Sequence, residues 1–135
     1  MDAAICTVDL QLKKLVFAGA KNPLVYIKNN EIYRIKGDNN GIGGAFNYKK
    51  EIKFTKHEVE IENNTSCYIF SDGFADQFGG EENKKYNPKR LREKLLEIHR
   101  FNFLKQKEIL DKEIENWKAG SEQTDDILVI GFSIK

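Results

Sequence analysis

Two cysteines, two histidines and a formal charge of +1 leave several kinds of chemistry without material in this 135-residue chain. A near-neutral balance gives no electrostatic pull towards nucleic acid or an acidic membrane surface. No apolar run approaches the ~20 residues that a membrane-spanning helix needs. The first residues also lack the pattern of a secretory leader, so a cytoplasmic protein that makes no membrane contact is expected. Cys6 and Cys67 are far apart, each inside an apolar run, without Cys-x-x-Cys spacing. Both are expected to be buried, reduced thiols. His57 and His99 stand among charged residues with no partner at metal-ligand spacing, and both read as surface residues.

What remains is the material of a soluble domain, 40% hydrophobic and 32% charged, in a chain long enough for one real core. Ala3 to Leu10 and Leu15 to Ala20 read as strands joined by a polar turn. Ala18-Gly19-Ala20 is small enough for another backbone to come close. Leu24 to Lys28 and Glu31 to Ile35 flank Asn29-Asn30, a good two-residue hairpin turn because Asn tolerates positive φ. A meander of four strands is expected. Lys36 to Gly44 is a loop rich in Gly, Asn and Asp, without a Walker pattern or a following helix signal, so it reads as a structural turn. Strand-like segments resume at Glu51 to Thr55 and His57 to Ile61, with Asn63-Asn64 as the next turn. Asn87-Pro88 starts a helix with its apolar face at Leu91, Leu95, Leu96 and Ile98. A second helix runs from about Leu104 to Trp117, with Ile109, Leu110, Ile114 and Trp117 at helical spacing and Trp117 as a core anchor. Many strands, then grouped helices, then one strand indicate an α+β fold.

Two acidic stretches stand out against this background. Tyr68, Ile69 and Phe70 form a β-favouring run that Ser71-Asp72-Gly73 breaks, and Phe74 to Phe78 reads as a short helix ending at Gly79. That places Asp76 one helical turn from Asp72, on the same side. Carboxylates so close repel unless a cation or a proton lies between them. The alternative for Asp72 is a helix cap, with Asp76 a surface carboxylate. The second stretch, Gln123-Thr124-Asp125-Asp126, sits at the mouth of Ile127 to Phe132, the most apolar run of the chain. Hard divalent cations take oxygen ligands, so Asp72 and Asp125 are candidate metal ligands. A calcium loop from Asp72 to Asn83 fails, because Asn83 stands where such a loop needs Glu.

Ser71 to Gly80 together with Gln123 to Val129 resembles the two C-terminal motifs of the metal-dependent protein phosphatases, the PPM or protein phosphatase 2C superfamily. The similarity is strongest to its bacterial SpoIIE-type serine phosphatases. Met1 to Cys6, Phe17 to Leu24, Gly41 to Gly43 and Trp117 to Gly120 also fall where that branch has recurring patterns. The resemblance implies an αββα sandwich of two antiparallel sheets with helices outside. It also implies hydrolysis of phosphoserine or phosphothreonine by two Mg²⁺ or Mn²⁺ ions that activate water. On that pattern Asp72 and Asp125 are the catalytic carboxylates and, with Gly73, hold metal. Asp126 neighbours these ligands, and Asp76 acts behind them or through water, orienting the short helix.

The departure from the pattern is equally specific. The family's other metal motif is an Asp-Gly pair on its own strand, and it has no counterpart here: Asp2 and Asp9 lack the following Gly, and Asp38 lacks both Gly and strand. Residues 1–135 are therefore expected to be a single, partial phosphatase domain, its C-terminal portion, with the N-terminal part missing. At most one of the two metal sites is expected, and negligible activity alone. An incomplete sheet is expected to leave a face open to self-association. The resemblance further implies a phosphorylated protein substrate such as an anti-sigma-factor antagonist, and an upstream sensor or regulatory domain. A non-catalytic binding or scaffolding module that keeps the fold is the second class the residues leave open.

Overall fold

The structure, a computed structural model, describes residues 1–43, 52–62 and 64–134. Its strands are β1 (Ala3–Asp9), β2 (Lys14–Ala20), β3 (Leu24–Lys28), β4 (Glu31–Ile35), β5 (His57–Glu60) and β6 (Thr65–Phe70). One helical turn, α1 (Gly73–Asp76), and a two-residue ribbon, β7 (Phe78–Gly79) with β8 (Lys84–Lys85), follow. The helices α2 (Pro88–Ile98) and α3 (Phe103–Lys118) precede the last strand, β9 (Val129–Ile134).

Two antiparallel sheets result, ordered β1-β2-β5 and β4-β3-β6-β9. Period-two alternation sends each strand of the second sheet into two cores at once. Val25, Ile27, Tyr68 and Phe70 pack on Leu91, Leu95, Ile98, Leu110 and Ile114 of α2 and α3. Leu24 and Cys67 point the other way and meet Leu15 and Phe17 of β2, with Ile61 and Ile134. The described layers are therefore sheet, sheet, helices, as an α+β sandwich of antiparallel sheets requires. On the far side of the first sheet, Ile5 is 64% exposed.

The expected four-strand meander is divided. Both hairpins form, and Asn29 and Asn30 turn the second at φ 52° and 62°, but β1-β2 and β3-β4 lie in different sheets. Lys21 (φ 65°) and Pro23, which has no N–H to donate, end the β2 ladder. The corner closes tightly: a Cβ on Gly19 would lie 2.3 Å from the Asn22 carbonyl oxygen, which is why the strand end must be small.

Several expectations need correcting. Residues 52–55 form no strand, and Glu51 lies outside the described residues. The backbone N–H and hydroxyl of Thr55 instead donate to the Asp38 carboxylate at 2.7 and 3.0 Å. Those bonds hold the Asp38 pKa below its ordinary value. The histidines are half-buried, not surface residues. His57 is an inward position of β5, with its ring 6.2 Å from that of Phe17. His99 closes α2, with Nδ1 2.6 Å from the Leu96 oxygen and Nε2 3.3 Å from Asn30 Oδ1. Cys67 is buried, and desolvation pushes its thiol pKa up to about 12, whereas Cys6 is only partly covered.

The helix ends follow capping chemistry. Asn87 and Asn102 accept through their side chains from the N–H groups of Arg90 and Lys105, at 3.0 and 2.9 Å. The short helix expected from Phe74 to Phe78 stops at Asp76, and Gln77 is extended (ψ 124°). The reason lies elsewhere in the chain. The Gln77 carbonyl accepts from Trp117 Nε1 at 3.0 Å and from the Tyr86 N–H at 2.9 Å. Residues 78–80 are thereby drawn onto α3, where the Gly80 N–H donates to the Trp117 carbonyl at 2.9 Å.

Candidate functional site

β6 and β9 are neighbours, with Phe70 opposite Val129. The residues that leave β6 and those that enter β9 therefore emerge side by side at one end of the second sheet. Ser71 clasps the two. Its N–H donates to the Leu128 carbonyl at 3.0 Å, its hydroxyl to the Asp126 carbonyl at 2.8 Å, and its Oγ accepts from the Leu128 N–H at 3.0 Å. On the other side of Asp72, Gly73 lies against the same peptide: a Cβ there would stand 2.3 Å from the Asp126 carbonyl oxygen. The Asp72 peptide is held between two residues that both touch Asp126. A strand pairing and a clasp thus bring together acidic stretches that are distant in sequence.

Within this junction the carboxylates differ. Asp72 is exposed and begins α1 without a side-chain cap bond, and its carbonyl accepts from the Asp76 N–H at 2.9 Å. Among the described residues no cation pairs with its carboxylate. Asp76 has one, Lys85 Nζ at 3.1 Å. Asp125 is exposed, with Oδ1 accepting from the Asp126 N–H at 2.7 Å. The Asp126 carboxylate is exposed as well. Asp2, Asp72 and Asp76 line a cavity of about 370 Å³, together with Lys21, Arg34, Lys36 and Arg92.

Exposed carboxylates are the right donors for Mg²⁺ or Mn²⁺, so these residues fit such an ion in kind. They do not fit in number. Among the described residues no three acidic, imidazole or thiolate groups converge to hold a metal. Ser71 was not legible as a site residue, because its clasp depends on a strand more than fifty positions later. The signal available was its place between a buried strand and an Asp-Gly pair.

The profile of the family "Stage II sporulation protein E (SpoIIE)" matches residues 1–135. The chain belongs to the SpoIIE family. No curated protein matches it. Among solved structures it is similar to the SiaA-PP2C domain of Pseudomonas aeruginosa, with a TM-score of 0.90 at 28% identity over 99% of this chain and 52% of that one. The phosphatase domain of SpoIIE from Bacillus subtilis follows at TM-score 0.72 and 15% identity, covering 98% of this chain and 58% of that one. That domain is also described in a Mn-presoaked form. The serine/threonine phosphatase PstP/Ppp of Mycobacterium tuberculosis shares the fold at TM-score 0.57 and 12% identity, over 91% of this chain and 56% of that one. The fold is that of the PP2C-type phosphatase domains, and the chain spans about half the length of the solved domains it matches.

Proposed function

We propose that residues 1–135 are the C-terminal half of a metal-dependent protein serine/threonine phosphatase domain that removes phosphate from phosphoserine in a bacterial signalling pathway. The observation that supports this reading is the Ser71 clasp, which ties the residue before Asp72 to Asp126 and Leu128 at one sheet end in a chain of the SpoIIE family. Asp72 and Asp125 would hold Mg²⁺ or Mn²⁺, and Gly73 lets the two backbones approach closely enough. Asp76, tied to Lys85, fixes the turn that carries Asp72. Asp126 anchors the second stretch through its carbonyl. When bound, a pair of such ions lowers the pKa of the attacking water and neutralises charge on the phosphoryl group. The remaining ligands come from an Asp-Gly segment outside these residues, so the chain alone supplies part of the site.

The substrate in this reading is a phosphorylated cytoplasmic protein such as an anti-sigma-factor antagonist, and control comes from a sensor or regulatory domain joined upstream. A scaffolding module is the second reading, favoured by the lack of a three-ligand cluster among the described residues. One experiment separates the two. Turnover of p-nitrophenyl phosphate and of a phosphoserine peptide is measured in millimolar Mn²⁺, for this chain and for a form extended N-terminally by the Asp-Gly segment. The phosphatase reading expects negligible turnover by the chain and Mn²⁺-dependent turnover by the extended form, abolished by Asp72→Asn or Asp125→Asn. Equal turnover by both forms would show that the site is complete here. Inactivity of both would leave the scaffold.

A further inference from the structure

The cavity beside Asp72 is lined by cations as well as by carboxylates. Arg34 comes from β4, the edge strand of the second sheet, Lys36 from the loop after it, and Arg92 from α2, which packs against β4. The cations around them are mostly paired. On α2, Lys89 pairs with Glu93, Arg90 with Glu113, and Lys94 with Glu97 and Glu113. Lys21, on the same cavity, pairs with Asp2 at 3.2 Å. Among the described residues no carboxylate lies within ion-pair distance of Arg34, Lys36 or Arg92, although the charge of Glu93 acts on Arg92.

The two guanidinium groups also sense one another. Partial burial, and next the positive charge of Arg34, hold the Arg92 pKa below its ordinary value. Like charges brought together on a half-covered surface oppose folding, and an oxyanion between them removes that cost. Guanidinium forks match the paired oxygens of a carboxylate or phosphoryl group, a geometry that an ammonium cannot reproduce. A cavity of about 370 Å³ admits a side chain or two, not a folded surface.

We propose that Arg34 and Arg92, backed by Lys36, form an oxyanion-binding site that grips a peptide beside Asp72. The ligand is an anionic group carried on a peptide, either the phosphoryl group of phosphoserine or an Asp or Glu carboxylate flanking it. The site gives the chain a preference for acidic phosphopeptides and holds them in the cavity that Asp72 also lines. The choice of a phosphopeptide rests on the phosphatase reading; the anion site rests on the unpaired arginines.

The test is fluorescence anisotropy on the metal-free chain with four labelled peptides of one length: phosphoserine among glutamates, serine among glutamates, phosphoserine among alanines, and serine among alanines. The acidic phosphopeptide is expected to bind and the uncharged peptide not to, with affinity falling as salt rises. Arg34→Ala and Arg92→Ala should each weaken binding by about tenfold, the loss of one hydrogen-bonded charge pair. Arg92→Lys should recover only part of it. Arg92→Met keeps the apolar stem and should bind as weakly as Arg92→Ala, which separates a lost anion contact from lost packing. Arg100→Ala, at the opposite end of the sheet, should leave binding unchanged.

Tight binding of phosphoserine among alanines identifies the phosphoryl group as the anion, and tight binding of serine among glutamates identifies the carboxylate; either supports the site. Binding that ignores peptide charge, or arginine variants that bind like the wild type, would overturn it. The phosphatase reading is judged separately, by turnover of the extended form with both arginines intact, so the two ideas can fail independently.

Discussion

A methyl group on Gly73 would sit 2.3 Å from the Asp126 carbonyl oxygen, closer than any real Cβ contact, and the neighbour is backbone that cannot swing aside. Gly73→Ala should therefore push the two acidic stretches apart and cost about 1–3 kcal/mol, as overpacking in a closed contact does. Asp72→Asn, one residue away, should change metal-free stability by no more than about 0.5 kcal/mol, because the exposed carboxylate caps nothing and pairs with nothing among the described residues. Urea denaturation of the two variants checks both; a large loss for Asp72→Asn would mark it as a structural cap after all. At this scale the sequence was half legible. Carboxylates at the mouths of apolar strands announce themselves, because such positions are costly without a counter-charge. Arg34 did not, since an arginine on an edge strand looks like any solvent-facing residue until Arg92 is found opposite. The tightness at Gly73 was equally hidden, because its neighbour lies at the other end of the chain.

Among the elements, hairpins and helices were legible where local chemistry decides them. Asn29-Asn30, Asn87-Pro88 and the apolar face of α2 all act within a few residues. The assignment of hairpins to separate sheets was not legible, because periodicity within a strand says nothing about which strand lies beside it. The short α1 was hidden for a related reason, its end being set by Tyr86 beyond the next ribbon and by Trp117 much further along the chain. β5 shows how an element can be held by its surface. Glu58 lies between Lys56 at 2.9 Å and Lys14 of β2 at 3.0 Å, and hydrogen bonds from Lys56 and then Lys14 lower its pKa from 4.5 to about 2. A folded pKa below the unfolded one means that the contribution is present above pH 4.5 and lost as pH falls towards about 2. Amide hydrogen exchange along β5 should show protection that declines across that window. In Glu58→Gln the decline should be absent, and an identical profile in both proteins would remove Glu58 as its cause. Exposure and salt screening keep the effect small.

For the whole molecule, coverage of the two sheets differs. The second sheet carries α2 and α3, while the outer positions of the first, Ala3, Ile5 and Thr7 opposite Ala20, Ala18 and Val16, carry no described helix. Ile5, at 64% exposure, lies beside Ile42 and Phe54 around a small apolar hollow. An apolar sheet face of this kind associates or is covered. Sedimentation at tens of micromolar should find the chain partly self-associated, and Ile5→Lys should return it to the monomer without lowering its melting temperature. A wild-type chain that sediments as a monomer under the same conditions would remove this face as an association surface.

The chain has a single tryptophan, and its position gives the molecule an optical handle. Trp117 is half-buried, with its ring against Gly80 and its indole N–H on the Gln77 carbonyl, one residue after Asp76. Arg90 lies over the same ring at 4.3 Å from its centre, and Tyr86 meets it edge-on at 5.4 Å. Any shift of the turn that carries Asp72 and Asp76 must alter the polarity and the hydrogen bond that the indole senses. Ultraviolet emission of the unlabelled protein thus reports on the acidic junction from behind, without a dye and without a residue of the cavity being replaced.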